Sequence, residues 1–426
     1  MDIKTMWYRL KLLLSDPSKN LWVHPTLGAI FAILFSLLAS VGNYLLPEHY
    51  VPHISAETLS SLLDIIASSM LAVTTFSLSI MVSALASTSN TATPRARLLI
   101  IEDDYTRIAI ASFISAFIYS VIAKIALGLK YYGTEGRFLL FLSTIIVLLY
   151  LIYTLIRWVQ TISGLGSLND ALSKIENKSR TSLSIYRAQP DLGAKHSKPI
   201  LNTRWHIYSQ KTGYICNLNL EEIQKVATKY QCHIHICVRA GKFVEPRAKI
   251  FAVYPKESFS DHEFEKIESE LDPCAVIGLN RTYEQDPRFG LLVMSEVAQR
   301  ALSPAVNDPA TAINVLNALT RLLVDTHAKD KQEYPEYDLL SIEKLDMEDL
   351  IRPVFSPISR DSIANLEIGI RLIKTLAIIS RHAPEIQIRQ YASKEAADCY
   401  HRSKAGLSYA PDRDYLKHEF EQSFKN

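Results

Sequence analysis

Residues 60–87 read SSLLDIIASSMLAVTTFSLSIMVSALAS, a run of 28 positions with one charged side chain, Asp64, and ten Ser or Thr. A bilayer core of about 30 Å is crossed by about 20 mostly apolar helical residues, each rising about 1.5 Å. This stretch therefore predicts a transmembrane helix over Ser60 to Ala86. The same pattern recurs at Pro25 to Leu46, Tyr105 to Leu129 and Phe138 to Ile162. The expected fold class is an α-helical membrane protein with four transmembrane helices, followed by a cytoplasmic α+β domain, β-rich first and then mainly helical.

Lys and Arg set the expected orientation, because they accumulate in short loops on the cytoplasmic side. Lys4, Arg9, Lys11 and Lys19 precede the first span, Arg95 and Arg97 lie between the second and third, and Arg157 ends the fourth. The loop from Pro47 to Leu59 has two Glu and neither Lys nor Arg. Both termini are therefore expected inside, with Trp22 and Trp158 at the inner interface and Tyr50, Tyr131 and Tyr132 at the outer one. Residues 3–14 alternate Ile3, Met6, Trp7, Leu10 and Leu14 with Lys4, Arg9 and Lys11, which suits a helix lying on the inner leaflet. The first apolar run is too long for a cleaved signal peptide, so it is expected to stay in the protein.

A step of 100° per residue collects Ser61, Ser68, Ala72, Thr75, Ser79, Ser83 and Ala86 on one stripe of the second span, opposite Leu63, Ile66, Met70, Val73 and Met81. Small hydroxyl residues let helices approach closely. They can also line a hydrated path in an oligomer, where hydroxyls replace part of a solute's water shell. Asp64 and Lys124 fall about one turn below the outer ends of antiparallel spans, at similar depth. An unpaired charge there is costly, so an intramembrane ion pair or a wet pore mouth is expected.

Net charge is +2 and no run of like charges forms a basic arm, so nucleic acid is not an expected partner. Cys216, Cys232, Cys237, Cys274 and Cys399 are too few and too irregular for a disulfide framework and read as reduced thiols. No nucleophile elbow, phosphate loop or zinc helix motif occurs, which disfavours an enzyme, and no cofactor is expected.

The expected domains are an interfacial helix over 1–24, the membrane domain over 25–162, a polar helix and linker over 163–202, a small β-rich domain over 203–256 and a mainly helical domain over 257–426. The β-rich part rests on Trp205 to Leu218 and Cys232 to Tyr254, with a turn at 239–242 and a helix over Glu221 to Lys229. Helices are expected at Gly164 to Lys178, Asp261 to Leu271, Gly290 to Leu302, Pro309 to Leu323, Ser362 to His382 and Glu385 to Ser403. Strand alternation would place His233, His235 and Cys237 on one face, either as a metal-ligating trio without a nameable fourth ligand or as the polar side of a half-exposed strand.

The densest polar sequence runs from Gly278 through Arg281, Thr282, Glu284, Gln285 and Asp286 to Gly290, and continues at Arg300, Ser303, Asn307 and Asp308. Ser303-Pro304 should end one helix, and Asp308 should cap the next with Pro309 at its first position. The group reads either as a satisfied polar network or as a site for a small anionic or polar ligand held by Arg forks and a helix N-terminus.

Arg281-Thr282 with Gln285-Asp286 and Phe289-Gly290, then Arg300 to Pro304 and Asn307 to Ala312, resemble the bacterial membrane-protein family known as domain of unknown function 2254. Thr93-Pro94-Arg95, approached by Ser87, Ser89 and Thr91, and the four-span layout belong to the same resemblance, which fades beyond about Leu323. It implies a membrane protein and brings no established activity; the expected location is the bacterial inner (plasma) membrane, with a multi-pass chain. Two functions compete. One is a homo-oligomeric ion or small-solute pathway regulated by the cytoplasmic domain; the other is a membrane-anchored sensor or scaffold whose polar cluster binds a ligand or partner. The lipid bilayer and copies of the chain itself are the expected partners, and the small ligand is unnamed by the sequence.

Overall fold

The structure is a computed structural model that describes residues 52–91, 93, 95, 104–162, 167–195, 203–325 and 336–425, with isolated positions 26, 30, 33 and 34. The chain divides into two compact units, Met1–Ala171 and Leu172–Asn426. Among the described residues the first unit has three helices long and apolar enough to cross a membrane, within α1 (Ala56–Thr91), α2 (Asp104–Gly128) and α3 (Thr134–Ile162). The expected first span and the interfacial helix fall outside the described residues, apart from Thr26, Ile30, Ile33 and Leu34.

α1 begins four residues before the apolar run because Ser55 caps it, its hydroxyl accepting the Thr58 amide at 3.0 Å, and Glu57 favours the positive end of the helix dipole. One face of α1 is packed, with Leu59, Leu63, Ile66, Met70, Thr74 and Ser77 buried. Ala109, Ala116 and Ala123, spaced by seven along α2, are buried in the same clusters and leave room for close helix approach. α3 joins through the Tyr119 hydroxyl, 2.8 Å from Ser143 Oγ and 3.1 Å from Thr144 Oγ1. Trp158, near the end of α3, is buried and packs edge-on to Phe113 at 5.9 Å and Phe76 at 6.4 Å.

The second unit opens on α4 (Leu168–Ala188), whose first turn precedes the unit boundary. This helix runs ten residues past the expected end at Lys178. The Ser182 hydroxyl donates to the Tyr283 carbonyl, and Arg187 reaches the Leu322, Leu323 and Asp325 carbonyls at 3.2, 3.1 and 2.6 Å, closing the C-terminus of a later helix, α8 (Pro309–Val324). Arg321 makes a fork onto Glu176 at 2.8 and 2.6 Å, which holds that carboxyl below the usual carboxylate range.

β1 (His206–Tyr208), β2 (Gly213–Leu218), α5 (Leu220–Lys229), β3 (Cys232–Ile236), β4 (Phe243–Val244) and β5 (Lys249–Pro255) follow, then α6 (Asp261–Leu271), whose Ser260 and Glu263 form a capping box. Two further strands lie outside the 203–256 stretch: β6 (Ala275–Gly278) and β7 (Leu340–Ile342). One sheet has the order β1-β5-β3-β7, with β7 parallel to β3, and the other is the antiparallel β4-β2-β6. Ile207, Ile215, Ile223, Ile234, Phe251 and Leu340 lie in the core that these sheets share with α5 and α6.

The rest is helical: α7 (Phe289–Leu302), α8, α9 (Arg352–Asp361), α10 (Leu366–His382), α11 (Ile386–Gly406) and α12 (Ala410–Phe424). The single helix expected from Ser362 to His382 starts later, because Asn365 caps α10 by accepting the Ile368 amide at 3.0 Å. α9 and α12 were not expected: α9 carries an apolar face at Val354, Phe355 and Ile358 but has Pro357 inside it, and α12 is polar over most of its surface.

Candidate functional site

The hydroxyl stripe of α1 does not face α2 or α3. Ser61, Ser68, Thr75, Ser79 and Ser83 are all exposed, as are Ala72 and Ala86 between and beyond them. Ser61, Ser68, Thr75 and Ser79 donate to the carbonyls four residues earlier, at 2.8–3.1 Å, so their hydrogens are satisfied while oxygen lone pairs stay open outward. Lys124 Nζ stands 2.5 Å from Asp64 Oδ1, joining α2 to α1, with the two side chains 48% and 54% exposed. At 100° per residue Asp64 is about 40–60° round the helix from Ser68 and Ser61. The ion pair and the stripe therefore share the outward side of α1.

The polar sequence in the second unit divides into two centres. The first surrounds Asp286, 1% exposed, at the N-terminus of α7. Arg281 donates through Nε and Nη2 to Asp286 Oδ2 at 2.8 and 2.5 Å, and its guanidinium lies 5.4 Å from the Phe289 ring centre. Arg288 donates to Asp286 Oδ1 from both its amide and Nε at 3.2 Å, to Asp349 Oδ2 at 2.9 Å and to the Ala240 carbonyl at 2.9 Å. Gly241, with φ +85°, passes so close that a Cβ there would come within 1.8 Å of Asp286 Oδ2. Only glycine meets both demands at that turn. Gln285 accepts the Leu218 amide at 2.9 Å and donates to its carbonyl at 3.1 Å, and Thr282 donates to the Cys216 carbonyl at 3.0 Å, which fixes the loop to β2. Glu284 points outward and is exposed. Both oxygens of Asp286 are thus occupied by protein donors, and the forks of Arg281 and Arg288 converge inward on it.

The second centre lies at the other end of α7, about 21 Å away along a 14-residue helix rising about 1.5 Å per residue. Ser303 ends α7, its hydroxyl donating to the Arg300 carbonyl at 2.7 Å. Asn307 takes φ +48°, which an Asn tolerates better than most residues, and its amide donates to the Ser303 carbonyl at 2.9 Å. Asp308 caps α8 by accepting the Thr311 amide at 3.1 Å and hydroxyl at 2.6 Å, contacts that hold its carboxyl below the usual range. Arg281, Thr282, Gln285 and Asp286 thus form one network, while Arg300, Ser303, Asn307 and Asp308 form a helix-to-helix turn. The single cluster expected from the sequence is corrected to two, because helix α7 separates what sequence proximity joined.

The His233, His235 and Cys237 trio also differs from expectation. Ser341 of β7 stands opposite His235 and its Oγ lies 2.9 Å from His233 Nε2 and 2.8 Å from His235 Nδ1. His235 is buried, not on a half-exposed face, because β7 covers the edge of β3. Among the described residues no group of three His, Cys, Asp or Glu side chains could hold a metal ion. All five cysteines are free thiols, and burial pushes Cys232 and Cys399 up to about 12 and Cys274 up to about 11, which leaves these three un-ionised near neutrality.

Arg288, Asp349 and Gly241 are network members that the sequence reading did not single out. Arg288 lay inside the quoted polar run and Gly241 inside the expected turn, so both carried a local signal. Asp349 did not, since 61 residues separate it from Arg288.

The chain is 59% identical to the uncharacterized proteins Mb1321c of Mycobacterium bovis and Rv1290c of Mycobacterium tuberculosis over 44 residues, which is 10% of this chain and 8% of each relative. No solved structure matches it. The family model described as "Predicted membrane protein (DUF2254)" matches residues 18–378, well past Leu323 where the resemblance read from motifs faded, and through α9 into α10. With most of its length matched and three helices able to cross a bilayer, this chain belongs to the DUF2254 family of predicted membrane proteins.

Proposed function

We propose that copies of this chain assemble in the bacterial inner membrane around the outward face of α1 and form a pathway for an ion or small polar solute, regulated by the second unit. The observation that carries this reading is the shared exposure of the hydroxyl stripe and the Asp64–Lys124 pair on one side of α1. Lipid tails offer nothing to a half-exposed ion pair, whereas water or another copy does. Stripe hydroxyls with free lone pairs suit contact with a partly dehydrated solute. The anchoring of α4 by Arg187, Ser182 and Arg321 within the second unit gives movements there a stiff helix through which to act on the chain leaving α3. The alternative of a sensor or scaffold whose Arg281 to Asp308 cluster binds a ligand has less support, because that cluster is two separate and internally occupied centres.

Reconstitution into sealed liposomes tests the pathway. The protein should carry ion or solute flux under voltage or membrane tension, and Thr75→Leu with Ser79→Leu should lower it about tenfold or more by filling the path. Ile146→Leu, on an exposed apolar position of α3, should leave flux unchanged. No flux above empty liposomes, or flux indifferent to the stripe, sinks the proposal.

The reading also places both termini and the second unit in the cytoplasm, in keeping with the Lys and Arg bias. In a chain freed of its native cysteines, Glu48→Cys should react with an impermeant thiol reagent in intact spheroplasts while Ser197→Cys stays protected. The opposite labelling would reverse the orientation.

A further inference from the structure

We infer that the cavity between α9 and α11 is a binding site for a small polyanion bearing phosphate-type oxyanion groups. The cavity is a solvent-open groove of about 300 Å³, within the size range of small-molecule sites. Arg352, Ser356 and Arg360 line one wall, at four-residue spacing on one face of α9; Asp398 and Arg402 line the other, four apart on α11. Three guanidiniums against one carboxylate leave a net charge of two positive units (3 − 1) around the space.

The arginines are under-used by the protein itself. Among the described residues, the buried Arg402 Nη1 has no hydrogen-bond partner. A buried donor left unmade is a standing cost that an acceptor in the cavity removes. Among the described residues Arg360 enters no ion pair, and Arg352 makes only a 3.3 Å contact from Nη1 to Glu348. This differs from the network at Asp286, where the forks of Arg281 and Arg288 are turned onto protein acceptors. The Ser356 hydroxyl already donates to buried Glu395 at 2.5 Å, so the floor is fixed and the donors left for a ligand are the guanidiniums. A smaller hollow of about 60 Å³ shares Arg352 and Asp398 with the cavity and is also lined by Lys394, Glu348 and Glu395, so the uncompensated positive charge lies in the larger cavity, at Arg360 and Arg402. Guanidinium forks match the planar, multi-oxygen geometry of phosphates and carboxylates. Several phosphate-type oxygens on one compact molecule satisfy the separated arginines better than a single carboxylate does.

The site does not depend on the pathway proposal, since binding here would persist in a protein that carries no flux. The oxyanion could belong to a soluble compound or to a lipid headgroup, and two arms of one experiment separate them. Full-length protein in zwitterionic-lipid nanodiscs is titrated with inorganic pyrophosphate, and a second sample is placed in phosphatidylglycerol nanodiscs without it, hydrogen exchange being followed in both. Saturable slowing of exchange confined to α9 and α11 is expected with pyrophosphate if the ligand is soluble, and in the phosphatidylglycerol sample if it is a headgroup. Arg360→Ala and Arg402→Gln should each weaken that response about tenfold, and Arg402→Lys, which keeps charge without the fork, should recover it only in part. Arg204→Ala, on an exposed position elsewhere, should leave it unchanged. Arg360 is exposed, so its replacement reports on binding without threatening the fold. Absence of protection in both arms, or protection that survives both Arg360→Ala and Arg402→Gln, overturns the assignment.

Discussion

Asp286→Ala should destabilise the second unit by about 3–5 kcal/mol, the usual cost of removing one partner from a buried ion pair. The carboxylate is 1% exposed, and it is the common acceptor of Arg281 and Arg288, themselves 16% and 15% exposed. Alanine would strand two poorly solvated guanidiniums facing each other across an empty space. Arg288 could keep its contacts to Asp349 and the Ala240 carbonyl, but Arg281 would keep only the Phe289 ring. Arg281→Lys should fall between wild type and Asp286→Ala, because an ammonium offers one point of contact where the fork offers two. Gly241→Ala should approach the Asp286→Ala loss by another route, since its methyl must displace the same carboxylate and take up a left-handed backbone. Asp308→Ala, in the second centre, should cost only about 1 kcal/mol through the lost cap, and Asp308→Asn less. Chemical unfolding of the purified variants, followed in the second unit, measures all of these. Equal losses at Asp286 and Asp308 would show that the two centres do not differ as their burial implies.

The second large effect is expected in the membrane. Asp64→Asn and Lys124→Gln should each lower the yield of assembled protein several-fold, while the double replacement recovers most of it. Each single change leaves one uncompensated charge in the bilayer, worth about 2.5–3.5 kcal/mol at the centre and less near the end of a span. The double change removes both charges together. The pair is half-exposed, so part of the penalty is relieved by whatever covers it, and the singles should be impaired rather than absent. Quantifying oligomer extracted in mild detergent against total chain in the membrane gives the three values. Additive losses, with the double variant worst, would mean that Asp64 and Lys124 act separately.

Much of the architecture is legible along the chain because its causes are local. A run of 20 or more apolar residues needs no partner to be recognised, as at Ala56–Ala84 and Thr134–Ile162. The capping box at Ser260, the Asp308 cap and the apolar period of α7 and α8 act within a few residues of where they are read. α9 and α12 are less legible: Pro357 argues against a helix in the first although Val354, Phe355 and Ile358 keep a helical period, and a largely polar surface on the second hides that period.

By itself, the sequence determined the three described helices able to cross a membrane, the hydroxyl stripe, the approach of Asp64 to Lys124, and the residues from which the polar centres are built. Tertiary structure alone decided how those residues are shared out. It buried His235 by bringing Ser341 from 106 residues away, joined Arg288 to Asp349, divided one polar run between the two ends of α7, and turned the stripe away from α2 and α3. It also brought arginines of α9 and α11 around one cavity, though nothing in either segment marks the other. The physical reason is range: hydrophobic length, helix period and caps are set over a few residues, whereas the partner of a buried polar group is set by packing between segments that the chain keeps far apart.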